Sequence, residues 1–123
     1  MTLFEAISQI NNLKPNTYSQ TDKVKWLSNL DGIIKAEIID THEGGEQVEF
    51  NGYDENTDIN TELLVPAPYD SIYTFWLSAQ IDYANGEYDR YNNGVQVYND
   101  AYSAFEKYYT RTHMPKSNKF KFF

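Results

Sequence analysis

The chain has no cysteine, which excludes disulfides and thiolate chemistry and points to a reducing intracellular compartment. It has two histidines, His42 and His113, and neither lies in a recognisable nucleophile motif, so nucleophilic catalysis has no support in the residue pattern. There is no Gly-Lys-Ser phosphate loop, and the paired glycines are turn material. No apolar run approaches the roughly twenty residues that a membrane span needs. The start, Met1 to Glu5, lacks the basic and long apolar regions of a signal peptide. Positive charge is scarce: 10 Lys and Arg stand against 18 Asp and Glu, and a net charge of −8 repels phosphate backbones.

What is present is enough for one folded domain. The 123 residues are 41% hydrophobic and 16% aromatic, which excludes an intrinsically disordered tail. Thr2 and Glu5 fit a capping box, and Leu3, Ile7, Ile10 and Leu13 follow at helical spacing until Lys14-Pro15. Ser19 or Thr21 caps a second helix with Val24, Leu27, Ile34 and Ile38 on one face, widened by Trp26, Leu30 and Ile33, and Gly44-Gly45 ends it. Val48 to Phe50 alternates before Asn51-Gly52, so a short strand there could pair with Leu63 to Val65. Pro66 and Pro68 delay the third helix to Tyr69–Ser71, with Asp70 or Ser71 as its cap.

From Tyr73 to Tyr109 apolar and aromatic residues recur in steps of three and four, and Asn92-Asn93-Gly94 predicts a break into two antiparallel helices. The second stripe, Tyr69, Ile72, Trp76, Ala79 and Tyr83, predicts that the third helix is the most buried element. The expected fold is mainly α: a compact bundle of about four helices, with a small β-hairpin or extended loop at about 46–66 between the second and third. Residues 1–114 form the helical domain and 115–123 a basic, aromatic tail.

Charge is unevenly placed. Between Ala36 and Asp89 there are thirteen Asp and Glu and no Lys or Arg, whereas Lys107, Arg111, Lys116, Lys119 and Lys121 follow Glu106 with no acid among them. Asp54, Asn56 and Asp58 match the opening of a calcium loop, but Ile59 stands where glycine is needed and Val65 where a bidentate glutamate belongs. The stretch therefore reads as an Asx-rich surface loop. Asp40, His42, Glu43 and Glu46 are interrupted by two glycines and make a poor metal cluster, so no metal or other cofactor is expected. Eighteen acids make a chance carboxylate pair uninformative, and an enzyme is not expected.

Four stretches, Asp22 to Gly32, Leu63 to Asp70, Trp76 to Tyr83 and Thr110 to Pro115, together resemble the small head-tail connector, or adaptor, proteins of long-tailed bacteriophages of Gram-positive hosts. The resemblance spans nearly the whole chain. It implies a mostly helical virion protein, made in the bacterial host cytoplasm and located in the virion neck. There it would form a ring, typically of twelve copies, under the portal protein and above a stopper or tail-side protein, with no catalytic residues. DNA would pass through the channel without specific binding.

Two surfaces are candidates for assembly: a docking surface of Arg111, Lys116, Lys119, Phe120, Lys121, Phe122 and Phe123, and an acidic channel or inter-subunit face of Glu43, Glu46, Glu49, Asp54, Glu55, Asp58 and Glu62. The nearest rival role is a neck stopper or tail-completion protein, roles that often use β-rich folds. A small calcium-responsive binding module and a carboxylate-based enzyme are the alternatives from other classes.

Overall fold

A computed structural model describes residues 1–116. Four α-helices make up most of this part: α1 (Leu3–Leu13), α2 (Gln20–Ile34), α3 (Ser71–Ala84) and α4 (Tyr88–Thr112). The capping box at α1 forms as its sequence predicts, with Glu5 N–H donating to Thr2 Oγ1 at 3.1 Å and Thr2 N–H to Glu5 Oε1 at 2.9 Å. Ser19 caps α2 by accepting from Asp22 N–H at 3.1 Å. Leu3, Ala6, Ile7 and Ile10 of α1 are buried, each large one contributing about 1.5–3 kcal/mol.

The second helix does not stay α-helical to its glycine pair. Lys35–Ile39 is a π-helical turn, and Gly45–Gln47 a short 3-10 turn. The wider turn shifts the helical phase by one residue, so the adjacent Ile38 and Ile39 are both buried. Gly45 closes this end of α2: a Cβ there would lie 2.2 Å from the Ile39 carbonyl oxygen, so only glycine fits without displacing backbone.

Helix α3 is the central element, packed on α1, α2 and α4. Ile72, Tyr73, Leu77, Ala79 and Ile81 are buried, as the double stripe predicts, although Tyr83 at its end is 57% exposed. The break between α3 and α4 falls at Asn85-Gly86, not at Asn92-Asn93-Gly94. Gly86 takes φ +76°, its N–H donates to the Tyr83 carbonyl, and Glu87 N–H donates to the Asp82 carbonyl, which together make a Schellman cap. Gly94 instead lies inside α4 against α3, where an added Cβ would be 3.6 Å from Ala79 Cβ. Two small residues face each other where the antiparallel helices cross, with room for a methyl in ordinary contact, so Gly94 is tolerated at the roughly 1 kcal/mol helix cost of glycine.

Residues 48–70 form the extended loop, not the hairpin. Among the described residues there are only two isolated β-bridges, Thr2 with Glu62 and His42 with Pro115. Leu63 pairs with the N-terminal residues and not with Val48–Phe50: its N–H donates to the Met1 carbonyl, while Leu3 and Phe4 N–H groups donate to the Thr61 and Ile59 carbonyls. Three further loop amides, those of Tyr53, Leu64 and Val65, donate to side chains of α2 and α3, and those of Asp54, Asn56, Thr57, Asn60 and Thr61 bond within the loop, so no partner strand is needed. Among the described residues no helix is long and apolar enough to cross a membrane.

Candidate functional site

The polar centre of the molecule is Asp31, whose side chain is completely buried. It belongs to the core stripe of α2, in phase between Leu27 and Ile34, and that in-phase acid is the signal that reading the stripe for apolar residues alone passes over. Its Oδ1 accepts from Tyr73 Oη at 2.6 Å; its Oδ2 accepts from Tyr53 Oη at 2.6 Å and from Leu64 N–H at 3.1 Å. Tyr73 Oη in turn accepts from Val65 N–H at 2.7 Å, and Ser28 Oγ accepts from Tyr53 N–H at 2.9 Å.

Burial pushes the Asp31 carboxyl above the usual carboxylate range, opposed by the three hydrogen bonds it accepts. Burial and the neighbouring carboxylate raise both tyrosines. This closed network tethers the 53–65 loop to α2 and α3. Asp31 and Tyr73 are fully buried, and the half-buried Tyr53 forms the network's outer edge.

A second buried polar group is His42, stacked edge-on against Tyr109 with ring centroids 5.1 Å apart. Its Nδ1 lies 2.6 Å from the Ile38 carbonyl oxygen, which can only accept, so Nδ1 carries a proton and donates to it, and Nε2 is hydrogen-bonded with Thr110 Oγ1 at 3.0 Å. His42 thereby joins the end of the π-turn to the end of α4. It lies two residues beyond Asp40, which caps the π-turn.

The surfaces relevant to assembly lie outside this interior. Of the docking candidates, Arg111 is exposed on the last turn of α4, and Lys116 closes the described chain. Lys119, Phe120, Lys121, Phe122 and Phe123 lie outside the described residues. The stretch before them is paired with the body: Glu43 N–H donates to the Met114 carbonyl at 2.8 Å, Lys116 N–H to the Thr41 carbonyl at 3.0 Å, and Pro115 bridges to His42. Lys116 Nζ stands 3.8 Å from Glu46 Oε2, so the basic and acidic poles already touch once within a single chain, an exposed pair worth about 0–1 kcal/mol.

The acidic candidates divide into two groups. Glu43, Glu46 and Glu49 flank the 3-10 turn, while Asp54, Glu55, Asp58 and Glu62 lie on the long loop, Asp54 and Glu55 beside the start of α2 and Glu62 bridged to Thr2 at the start of α1. Glu62 is paired with the Met1 amino group at 3.2 Å. Asp54 and Asp58 each accept from an amide of their own turn, Asn56 N–H and Asn60 N–H, which is Asx-turn geometry. Among the described residues no three His, Asp or Glu side chains converge on a metal position. No protein-family model, curated protein or solved structure matches this chain.

Half-buried aromatics join α2, α3 and α4 along another flank. Trp76 Nε1 donates to the Trp26 carbonyl at 2.8 Å, its ring lies 5.0 Å from Tyr98, and Tyr102 Oη donates to Glu37 Oε1 at 2.6 Å. Burial, with Glu37 nearby, pushes the Tyr98 hydroxyl up to about 12. Most of the in-phase tyrosines thus serve helix packing; Tyr83 and Tyr88 are the exposed exceptions.

Proposed function

We propose that the chain is a structural virion protein, a head-tail connector that assembles as a ring under the portal and joins the DNA-filled head to the tail. The observation that carries this reading is the segregation of charge. Thirteen acids without a cation occupy one span, and a basic, phenylalanine-rich segment is rooted beside that span at Lys116. A ring needs a surface that meets a different surface on the next copy, and two poles of opposite sign supply one. Acidic walls suit a conduit because they repel the DNA that slides through. The resemblance of the four sequence stretches points the same way, and a body of packed helices favours the adaptor over a stopper or tail-completion role.

In this reading the terminal segment docks on the portal or on a neighbouring copy, with Phe120, Phe122 and Phe123 as apolar anchors and Lys116, Lys119 and Lys121 around them. The test is a chain ending at Lys116, which keeps the Pro115–His42 bridge and the Lys116–Glu46 pair intact. It is expected to keep the helical circular-dichroism spectrum of the full chain and to lose attachment to portal-containing heads. Equal attachment of the two chains refutes the docking role. A gold label on the protein appearing anywhere but the neck of the particle refutes the connector role.

A further inference from the structure

One face of α4 is an open groove. Val97, Asp100, Ala104, Lys107 and Arg111 recur on it at steps of three and four residues, and Pro68 and Phe75 form its opposite wall. From Val97 to Arg111 the stripe runs about 21 Å at 1.5 Å per residue. One end is apolar, with Val97 45% exposed; the other end is cationic. Among the described residues Lys107 and Arg111 have no ion-pair partner, in a protein where acids outnumber bases 18 to 10. Asp100 is the one acid of the stripe, and Glu106 lies on the adjacent face, near enough to Tyr102 to help raise its hydroxyl.

A matching surface exists elsewhere on the same molecule. Phe4, at the start of α1, is 56% exposed, and its N–H is bonded to the Ile59 carbonyl at 2.9 Å, which places it at the edge of the Asx-rich loop. Asp54, Glu55 and Asp58 on that loop are exposed and, among the described residues, have no cationic partner. This surface offers an exposed phenylalanine at the edge of an acidic loop; the groove is an apolar slot ending in two bases. The first is built on α1 and the loop, the groove on α4 and the start of α3, and no ion pair joins them within one chain.

We infer that the α4 groove receives the Phe4 and Asp54–Asp58 surface of a second copy, in a head-to-tail contact that leaves the second copy's own groove open for a third. The inference rests on the ring-forming reading above and supplies the interface for it. Phe4 fills the slot by Phe75, Val97 and Ala101, while the loop acids face Lys107 and Arg111.

The test uses two full-length variants and sedimentation of the purified protein at low salt. Lys107→Glu with Arg111→Glu makes the groove acidic. Asp54→Asn with Glu55→Lys and Asp58→Asn makes the loop basic while keeping the side-chain oxygens that cap its turns. Each variant alone is expected to lose self-association by about tenfold or more, as is Phe4→Ser, and an equimolar mixture of the two charge variants is expected to recover it. Raising salt to about 1 M, where the Debye length is near 3 Å, is expected to weaken the wild-type contact.

Self-association of both charge variants at the wild-type level overturns the inference, and so does a wild type that stays monomeric at millimolar concentration. A mixture that recovers nothing overturns the pairing of these two surfaces. All these outcomes are read on the isolated protein, so they leave the connector reading to be judged separately by its location in particles.

Discussion

Replacing Asp31 by alanine tests the claim that one buried carboxylate holds the long loop in place. The substitution removes the acceptor for Tyr73 Oη, Tyr53 Oη and Leu64 N–H together. Tyr53 is half-buried and can turn its hydroxyl to water. Tyr73 Oη has no such escape, and the Leu64 amide is partly shielded by the loop itself.

A stranded buried donor costs about 1–3 kcal/mol, so the two poorly solvated donors set a loss of about 2–6 kcal/mol. Relief of the carboxylate's desolvation returns part of that, leaving about 3 kcal/mol against a typical domain stability of about 5–15 kcal/mol. With a urea slope between about 1 and 3 kcal/mol per molar, the unfolding midpoint falls by about 1–3 M. Hydrogen exchange gives the sharper reading: the Leu64 and Val65 amides should lose protection before the amides of α3 do. A midpoint shift below about 0.5 M, or unchanged protection at Leu64 and Val65, refutes the tether.

The same residue gives a pH signature. Its carboxyl titrates above the ordinary 3.8 in the fold, so the folded chain holds the proton more tightly than the unfolded chain. Its contribution to stability is therefore fully present below 3.8 and is lost as pH rises through the raised folded value. The stability difference between wild type and Asp31→Asn should grow in favour of the wild type as pH falls from 7 toward 4; a flat difference in urea titrations contradicts a burial-raised carboxyl. Gly94→Ala should stabilise the protein by about 0.5–1 kcal/mol, because the new methyl finds ordinary contact with Ala79 and the helix loses a glycine, whereas Gly94→Leu should lower the melting temperature by forcing α3 and α4 apart. Gly45→Ala should cost about 2 kcal/mol or more, since its Cβ meets the Ile39 carbonyl oxygen, and a neutral result in thermal melts would mean that the turn relaxes freely.

The elements that are legible in the sequence are those in which a local signal and the core agree. Thr2 with Glu5, Ser19, Lys14-Pro15 and the stripe of α3 each announce a boundary or a face in side chains a few residues apart. The loop was not legible in that way, because its partners are distant: Leu64 is held by Asp31, Val65 by Tyr73 and Leu63 by Met1. Alternation at Val48–Phe50 suggested a strand, yet the sequence does not show that α2 and α3 side chains would take over the work of a partner strand. The sequence reading places the α3–α4 break at Asn92-Asn93-Gly94 and passes over Asn85-Gly86 for a similar reason. Only the facing Ala79 makes Gly94 a packing residue and leaves Asn85-Gly86 as the terminator.

The candidate surfaces were legible as charge and not as geometry. The acid-only span is plain in the sequence, but its division into a turn around Gly45 and a loop over α1 depends on the fold. Three of the four stretches, Asp22 to Gly32, Leu63 to Asp70 and Trp76 to Tyr83, meet in the interior, where Asp31 meets Leu64 and Trp26 meets Trp76, whereas Thr110 to Pro115 has no buried residue.

The pairing of Lys116 with Thr41 also sets a length scale. Seven residues, Ser117 to Phe123, follow that fixed point, and even a fully extended stretch of seven reaches no farther than about 25 Å. For the docking proposed above, the pocket that receives Phe120, Phe122 and Phe123 would therefore have to lie inside that radius of the Thr41 carbonyl, which bounds how far such a partner could stand from the helical body.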